Sequence, residues 1–363
     1  AHPGPAVRFN PMIKYIGSKR TLAPLLAEIV GGLGVASAAD LFAGTTRVGQ
    51  ALRQAGVRVV SNDTASYSEM LGRAYIEAGP EVDRARLRAL IRDLDALPGR
   101  RGYVTETFCE RSRFFQPENG MRIDAIRAGI DALALTDLER GLLLTSLIEA
   151  ADRVDSTVGL QMAYLKSWAP RAANRLELRE PDAVEGPAGR VLRRDANELG
   201  VELAGIDLAY LDPPYNQHSY YANYHVWETI VRNDAPRHYG VACKREDVRQ
   251  TKSAYNSRRT AWAALTGLIE RLPTPWIVVS FSNEGFHDLA AVHGLLSERG
   301  HVGRLDVDSR RYIGAKIGIH NPAGRRVGSV SHLRNTEVVF VCGPDRDLVE
   351  LVTRHQAAVA HGI

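Results

Sequence analysis

Cysteine is scarce in this sequence. The three present in 363 residues, Cys109, Cys243 and Cys342, stand far apart with no CxxC pair, which argues against a disulfide framework and against a cysteine-built zinc site, so no metal is expected. No run of about 18 apolar residues exists to cross a membrane, and no membrane partner is expected. The opening segment AHPGPAVRFNP has neither a basic n-region nor an apolar h-region, which makes the cytosol the expected location. Internal repeats and low-complexity tracts are missing. So is GxGxxG at the first strand-to-helix turn, which weighs against a nicotinamide cofactor. What is left is ordinary globular composition, 45% apolar and 24% charged, in a chain long enough for an α/β core plus one helical insertion or small second domain.

The net charge of +4 is small but unevenly spread. Arg237 to Arg259 holds seven basic and two acidic residues, and Arg304 to Arg334 again seven and two, so the two stretches carry +10 against −6 elsewhere. Two basic stretches beside a nucleotide-binding core favour a polyanionic partner.

Short apolar runs, each closed by a polar or Gly-containing turn and followed by helical spacing, describe a mostly parallel sheet with crossover helices. The candidate strands are Val35 to Leu41, Val57 to Asn62, Arg190 to Arg194, Ile206 to Leu211, Trp276 to Phe281, His301 to Val307 and Thr336 to Cys342. Between the second and third, about Thr64 to Ala188, apolar residues recur at helical spacing, as in Leu87, Leu90, Ile91 and Leu94, then Leu142, Leu143, Leu147 and Ile148. That interval is too long for a crossover and is expected to form a helical lobe. A turn-rich stretch from Arg310 to Arg334 precedes the last strand, and a hairpin loop over about 304–334 is expected.

Two segments carry the chemistry. Asp40-Leu41-Phe42-Ala43-Gly44-Thr45-Thr46-Arg47-Val48-Gly49 follows the first strand and opens a helix. Twenty-three residues after Asp40, Asp63 ends the second strand, where an acid in a nucleotide-binding α/β fold accepts both ribose hydroxyls. The other segment is Asp212-Pro213-Pro214-Tyr215, directly after the fourth strand. An exocyclic amine of adenine or cytosine is a poor nucleophile because its lone pair is delocalised into the ring. An enzyme must therefore hold its hydrogens and favour a more tetrahedral nitrogen. Asp212 can accept one N–H and the Pro213 carbonyl the other, the paired prolines hold that carbonyl in place, and Tyr215 offers a face to an extruded base.

With these motifs in this order, the chain resembles the Dam-type, or D12 class, family of DNA adenine methyltransferases over most of its length. Lys14-Tyr15-Ile16-Gly17-Ser18-Lys19 looks like the family's KYxGSK box, which implies that Tyr15, Ser18 and Lys19 help hold the cofactor, Lys19 near its methionine carboxylate. Asp40, Phe42, Ala43, Gly44 and Thr45 match the cofactor loop, with Thr46 replacing a frequent glycine. Asp63 matches the ribose-binding acid, and Asp195, followed by Ala196, the acid that meets the cofactor adenine; Asp212 borders the same pocket. Ser280 to Glu284 resembles the strand after the catalytic turn, and Gly314 to Glu337 the terminal hairpin. The resemblance also implies that the lobe, roughly Thr64 to Ala188, reads double-stranded DNA.

The sequence thus predicts a doubly wound α/β catalytic domain from residues 1–63 and 189–363, with an inserted helical target-recognition lobe over 64–188. Its expected activity is direct transfer of a methyl group from S-adenosylmethionine to N6 of a flipped-out adenine. Arg258, Arg259, Lys316, Arg325 and Arg326 are expected on phosphates. Tyr220, Tyr221, Tyr224 and Trp227 either pack the core or line the base pocket, with core expected for Trp227. Transfer to N4 of cytosine, action on RNA, and a catalytically silent DNA-binding regulator stay open as alternatives. So do the recognised sequence, a companion restriction endonuclease and the oligomeric state.

Overall fold

The computed structural model describes residues 13–15, 19, 21–282, 285–310, 319–320, 326–328 and 334–360. Each of the seven apolar runs forms a strand: β1 Ser37–Asp40, β2 Arg58–Asn62, β3 Arg190–Leu192, β4 Leu208–Leu211, β5 Trp276–Ser282, β6 His301–Arg310 and β7 Arg334–Gly343. They make one sheet in the order β3-β2-β1-β4-β5-β7-β6. The first five are parallel, and β7 lies antiparallel to both β5 and β6.

The period-2 alternation of a strand sorts the side chains to two faces. Ala38, Leu208, Tyr210, Val278 and Val339 pack with α1 (Ala23–Gly32), α2 (Arg47–Gln54) and the last helix, Arg346–Ala360. Ala39, Ala209, Leu211, Val279 and Phe340 turn the other way, onto Arg258–Arg271 and Leu289–Ser297. Both faces are covered, so the strands read as near-continuous apolar runs rather than alternating ones. That is why they were legible.

The lobe is built from α3 (Ser66–Gly72), which runs on into a π-turn over Arg73–Glu77, then α4 (Arg84–Asp95), a second π-turn over Thr105–Glu110, α5 (Pro117–Ala132) and α6 (Asp137–Arg153). A capping box starts α6: the Glu139 N–H donates to Thr136 Oγ1 at 3.2 Å while the Thr136 N–H donates to Glu139 Oε2 at 2.9 Å. Leu87, Ile91, Leu94, Leu142, Leu143, Leu147 and Ile148 all enter a buried cluster separate from those on the sheet.

That cluster does not stop where the lobe's own sequence stops. It takes in Ile13 and, beyond β4, Tyr224, Val226, Trp227 and Ile230 together with Ala242 and Cys243. The segment after the Asp212–Tyr215 turn forms α7 (Tyr220–Asn223) and α8 (His225–Arg232), and α8 is held at both ends from the lobe. Gln161 Oε1 accepts the Val226 N–H at 2.9 Å and the Trp227 N–H at 3.3 Å, while Arg127 donates to the carbonyls of Ile230 and Val231 at 2.8 and 3.0 Å. These bonds satisfy backbone groups that a helix end leaves without partners. Trp227 is 1% exposed, a core residue as expected. The remaining helices of eight residues or more among the described residues are α9 (Arg258–Arg271), α10 (Leu289–Ser297) and α11 (Arg346–Ala360).

In the sheet order, β1 lies beside both β2 and β4, so the chain reverses direction across the sheet between β1 and β4. Ligands of open α/β sheets bind at the carboxyl ends of the strands at such a point. The register puts Asp40 opposite Tyr210, which sets the loop after β1 against the turn after β4.

Candidate active site

A cavity of about 320 Å³ opens at this point. It is walled by the loop after β1 (Asp40 to Thr45), by Asp63 after β2, by Asp195 and Ala196 after β3, and by Asp212 and Pro214 after β4. Tyr15 and Lys19 also line it. Ser18, Lys316 and Arg325 lie outside the described residues, as do Asn283 and Glu284, and only the backbone of Arg326 falls within them.

Backbone geometry explains the loop. Gly44 has φ +51°, and a Cβ there would come within 3.3 Å of the Tyr15 hydroxyl, so a side chain would be both strained and tightly packed against Tyr15. Thr46 has φ +61° as the cap of α2, a left-handed conformation in which glycine is at home. The one departure from the family's pattern thus falls on a strained position, where Thr46 Oγ1 accepts a bond from Gln50 Nε2 at 2.9 Å. Asp63 holds the loop from the next strand: Oδ2 accepts the Gly44 N–H at 2.9 Å, and Oδ1 the Ala65 N–H at 3.0 Å. Asn62 ties a third strand end in, donating to the carbonyls of Leu41 and Arg194 at 3.2 and 3.1 Å.

Asp40 is 1% exposed, and its Oδ1 has no partner among the described residues. Burial pushes its carboxyl up to about 8, with the nearby Asp212 and Asp63 adding to the rise. Asp195 is more exposed and caps the short turn that follows it, accepting the Asn197 N–H at 2.9 Å. Phe42 packs edge-on against Tyr255 with ring centres 5.2 Å apart.

At the turn itself, Asp212 Oδ1 lies 3.1 Å from Lys19 Nζ and accepts a bond from Ser280 Oγ at 3.1 Å. Tyr210 OH and Ser280 Oγ are 2.8 Å apart. Lys19 also pairs with Glu337 on β7. Burial alone would lower the Lys19 ammonium, but Asp212 and Glu337 outweigh it and hold it well above the usual lysine range. For Asp212, burial raises the carboxyl, Lys19 lowers it and Glu337 raises it, leaving it at about 6. A half-buried carboxylate is thereby kept ionised at neutral pH by one fixed cation.

The aromatic residues divide. Tyr220 and Tyr221 line the cavity, whereas Tyr224 is buried in the lobe cluster. Tyr15 lies parallel to both Tyr224 and Tyr220, with ring centres at 4.3 and 5.5 Å. Pro213 is buried and Tyr215 half-buried, and neither lines the cavity. The Tyr215 carbonyl accepts the Phe286 N–H at 2.9 Å.

Arg258 and Arg259 are exposed at the start of α9, just past Ser253 and Asn256 on the cavity wall. The first basic stretch is not wholly available to a partner, however. Arg245 is 1% exposed and bidentate to Asp234, 2.7 Å at each contact, with Asp247 also at 2.7 Å. Three elements of the site were not singled out in the sequence. Glu337 was visible only as the end of the hairpin motif, and Ser280 only as the start of another. The wall segment Gln250 to Asn256 gave no signal beyond a basic loop.

A mostly parallel sheet with a nucleoside-sized cavity at its switch point and a half-buried Asp-Pro-Pro-Tyr turn whose carboxylate is held by a cation define a Rossmann-like methyltransferase. The profile of the D12 class N6 adenine-specific DNA methyltransferases matches residues 15–270. The chain is 32% identical to the type II methyltransferase M.NlaIII of Neisseria lactamica over 83% of its own length and 92% of that protein's. It is 30% identical to the modification methylase StsI of Streptococcus sanguinis and 32% to the type II methyltransferase M.FokI of Planomicrobium okeanokoites. Of those two it spans only about half, 48% and 47%. The chain belongs to the D12 class of N6 adenine-specific DNA methyltransferases.

Proposed function

We propose that the chain binds S-adenosylmethionine in the switch-point cavity and transfers its methyl group to N6 of an adenine rotated out of double-stranded DNA at a specific site. The observation that carries this reading is the placement of Asp212, a half-buried carboxylate held by Lys19, on the wall of a cavity that the adjoining Asp40 to Thr45 loop also lines. The donor set suits that cofactor: Asp63 for ribose hydroxyls, Asp195 for an adenine amine, Phe42 for a base face, and the unpartnered Asp40 Oδ1 for a hydrogen-bond donor. The bound cofactor supplies a methyl group already activated on a sulfonium.

What the chain supplies is alignment and hydrogen-bond acceptance. Asp212 takes one amine N–H and the Pro213 carbonyl the other, which localises the nitrogen lone pair. Lys19 and Ser280 fix the carboxylate before the base arrives, so little reorganisation is left for the reaction. The departing amine proton leaves toward Asp212. Tyr215 stacks on the base, the helical lobe reads the surrounding sequence, and Arg258, Arg259 and the terminal hairpin, with Lys316, Arg325 and Arg326, contact phosphates. No helix among the described residues is long and apolar enough to cross a membrane, which suits an enzyme acting on DNA in the cytoplasm. The kinship with a type II methyltransferase and a modification methylase supports a restriction endonuclease as companion. Calorimetric titration with S-adenosylmethionine tests the cofactor: saturable one-to-one binding that Asp63→Ala weakens supports it, and no binding by the intact protein refutes it.

A further inference from the structure

Large apolar side chains left exposed among the described residues are few, and two of them, Val158 and Met162, sit four positions apart on one loop. This loop runs irregularly from the end of α6 to Ala169, and a long structureless segment inside a compact fold usually has a task. It is not loose. Asp155, Ser156, Thr157 and Gln161 are each at most 2% exposed. Asp155 is gripped by Arg171 at 2.6 and 3.0 Å, and the Ser156 N–H donates to the Phe114 carbonyl at 2.8 Å. The Leu165 N–H returns to the Ser156 carbonyl at 2.9 Å, closing the loop at its base.

Its inner side is pinned to the helices that follow the catalytic turn. The Tyr224 hydroxyl donates to the Gly159 carbonyl at 3.3 Å, the Gln161 N–H to the Asn223 carbonyl at 2.8 Å, and Gln161 caps α8 as described. Ser219, Tyr220 and Tyr221, directly before this anchor, line the cavity. Thr157 and Gln161 are buried, whereas the residues that follow them, Val158 and Met162, are 39% and 38% exposed. The same loop carries a cation: Lys166 is exposed, and its carbonyl accepts from Arg113, whose guanidinium stacks 4.7 Å over Trp168.

We propose that Val158 and Met162 form an apolar wedge that presses into the base stack of duplex DNA beside the target adenine and favours its rotation out of the helix, with Lys166 on the adjoining phosphates. Apolar side chains that enter a base step work by offsetting unstacking, while cations hold the backbone in register. The inference rests on the proposed action on a flipped adenine.

The test uses the full chain with Val158→Ala and Met162→Ala together, and Met162→Ala alone, on a duplex bearing the site the wild-type enzyme methylates. A second duplex carries the same adenine opposite an abasic site, where unpairing is already done. The double variant should lose about tenfold or more in kcat/KM on the paired duplex and recover to within about threefold of wild type on the second. Cofactor affinity and thermal unfolding should be unchanged, since both side chains are exposed; if the double variant unfolds early, the same pair of rates for Met162→Ala decides. An equal loss on both duplexes, or no loss, overturns the wedge. So does a changed methylation site without recovery, which would make the loop a reader. Failure of the wild type to methylate adenine in either duplex would instead refute the proposed function.

Discussion

Replacing Lys19 with methionine should move the acid limb of the pH–rate profile upward. Methionine keeps the length and apolar stem of lysine and removes its charge. In the native site burial and Glu337 push the Asp212 carboxyl up, and Lys19 at 3.1 Å brings it back to about 6. Two charges at 3.1 Å interact by about 5 kcal/mol at an effective dielectric of about 20. Part of that is returned when Glu337 and water adjust, so the limb should move by the roughly 1 to 3 pH units that one neighbouring opposite charge usually produces. The sign follows from the chemistry: only the carboxylate accepts the amine N–H, so activity falls as pH drops through the Asp212 pKa. A shift of about two pH units would leave roughly a tenth of the enzyme competent at neutral pH, with most activity regained by about pH 9. Single-turnover methylation at saturating cofactor, measured from about pH 5 to about pH 9, separates this effect from weaker cofactor binding. A Lys19→Met enzyme that is slower at every pH with its acid limb unmoved would refute the electrostatic role of Lys19.

Asp212→Ala should abolish transfer while leaving cofactor affinity nearly intact, as checked by single-turnover rates beside calorimetry; near-native turnover would remove Asp212 from the mechanism. Asp63→Ala should weaken cofactor binding tenfold or more, since each bond to a charged acceptor contributes roughly 1.5–3 kcal/mol, and unchanged affinity would remove the ribose assignment. Neutralising Arg258 and Arg259 together should lower the slope of log affinity against log salt by about two, with base preference retained, and a native slope would take both off the phosphates. The folded Asp40 carboxyl titrates near 8, above its ordinary value of 3.8, so the native state binds that proton more tightly and stability falls as pH rises through this window. Asp40→Asn should therefore gain about 1–2 kcal/mol over wild type between about pH 6.5 and about pH 8.5 in cofactor-free denaturant unfolding. Parallel pH dependences in the two proteins would show that the burial of Asp40 costs nothing.

The strands of the sheet were legible because burial on both faces writes itself as apolar runs, and each run predicted here overlaps a strand, though Val35 and Ile206 fall before the strands that they were expected to open. Strand order was not legible, because the pairing of β7 between β5 and β6 depends on contacts far apart in sequence. Helical spacing gave the lobe but not the reach of its core, since α8 looks like any amphipathic helix until its apolar face meets Phe115 and its ends meet Gln161 and Arg127. In the site, Asp40, Asp63 and Asp212 were readable as acids at strand ends, where the topology delivers them to one cavity. Glu337 was hidden: within a strand, alternation alone does not say which neighbour an inward acid meets, and only the register beside Ser282 brings it to Lys19. Arg245 misled in the opposite direction, because a charge count cannot separate a guanidinium spent on buried carboxylates from one offered to a phosphate.

The central claim is the identity of the acceptor atom. Incubating the protein with methyl-labelled S-adenosylmethionine and duplex DNA of mixed sequence, digesting to nucleosides and separating the products reads that atom directly. Label is expected in N6-methyladenine alone, confined to one sequence context and lost in Asp212→Ala. Label in N4-methylcytosine, or in RNA supplied alongside but not in the duplex, would contradict it.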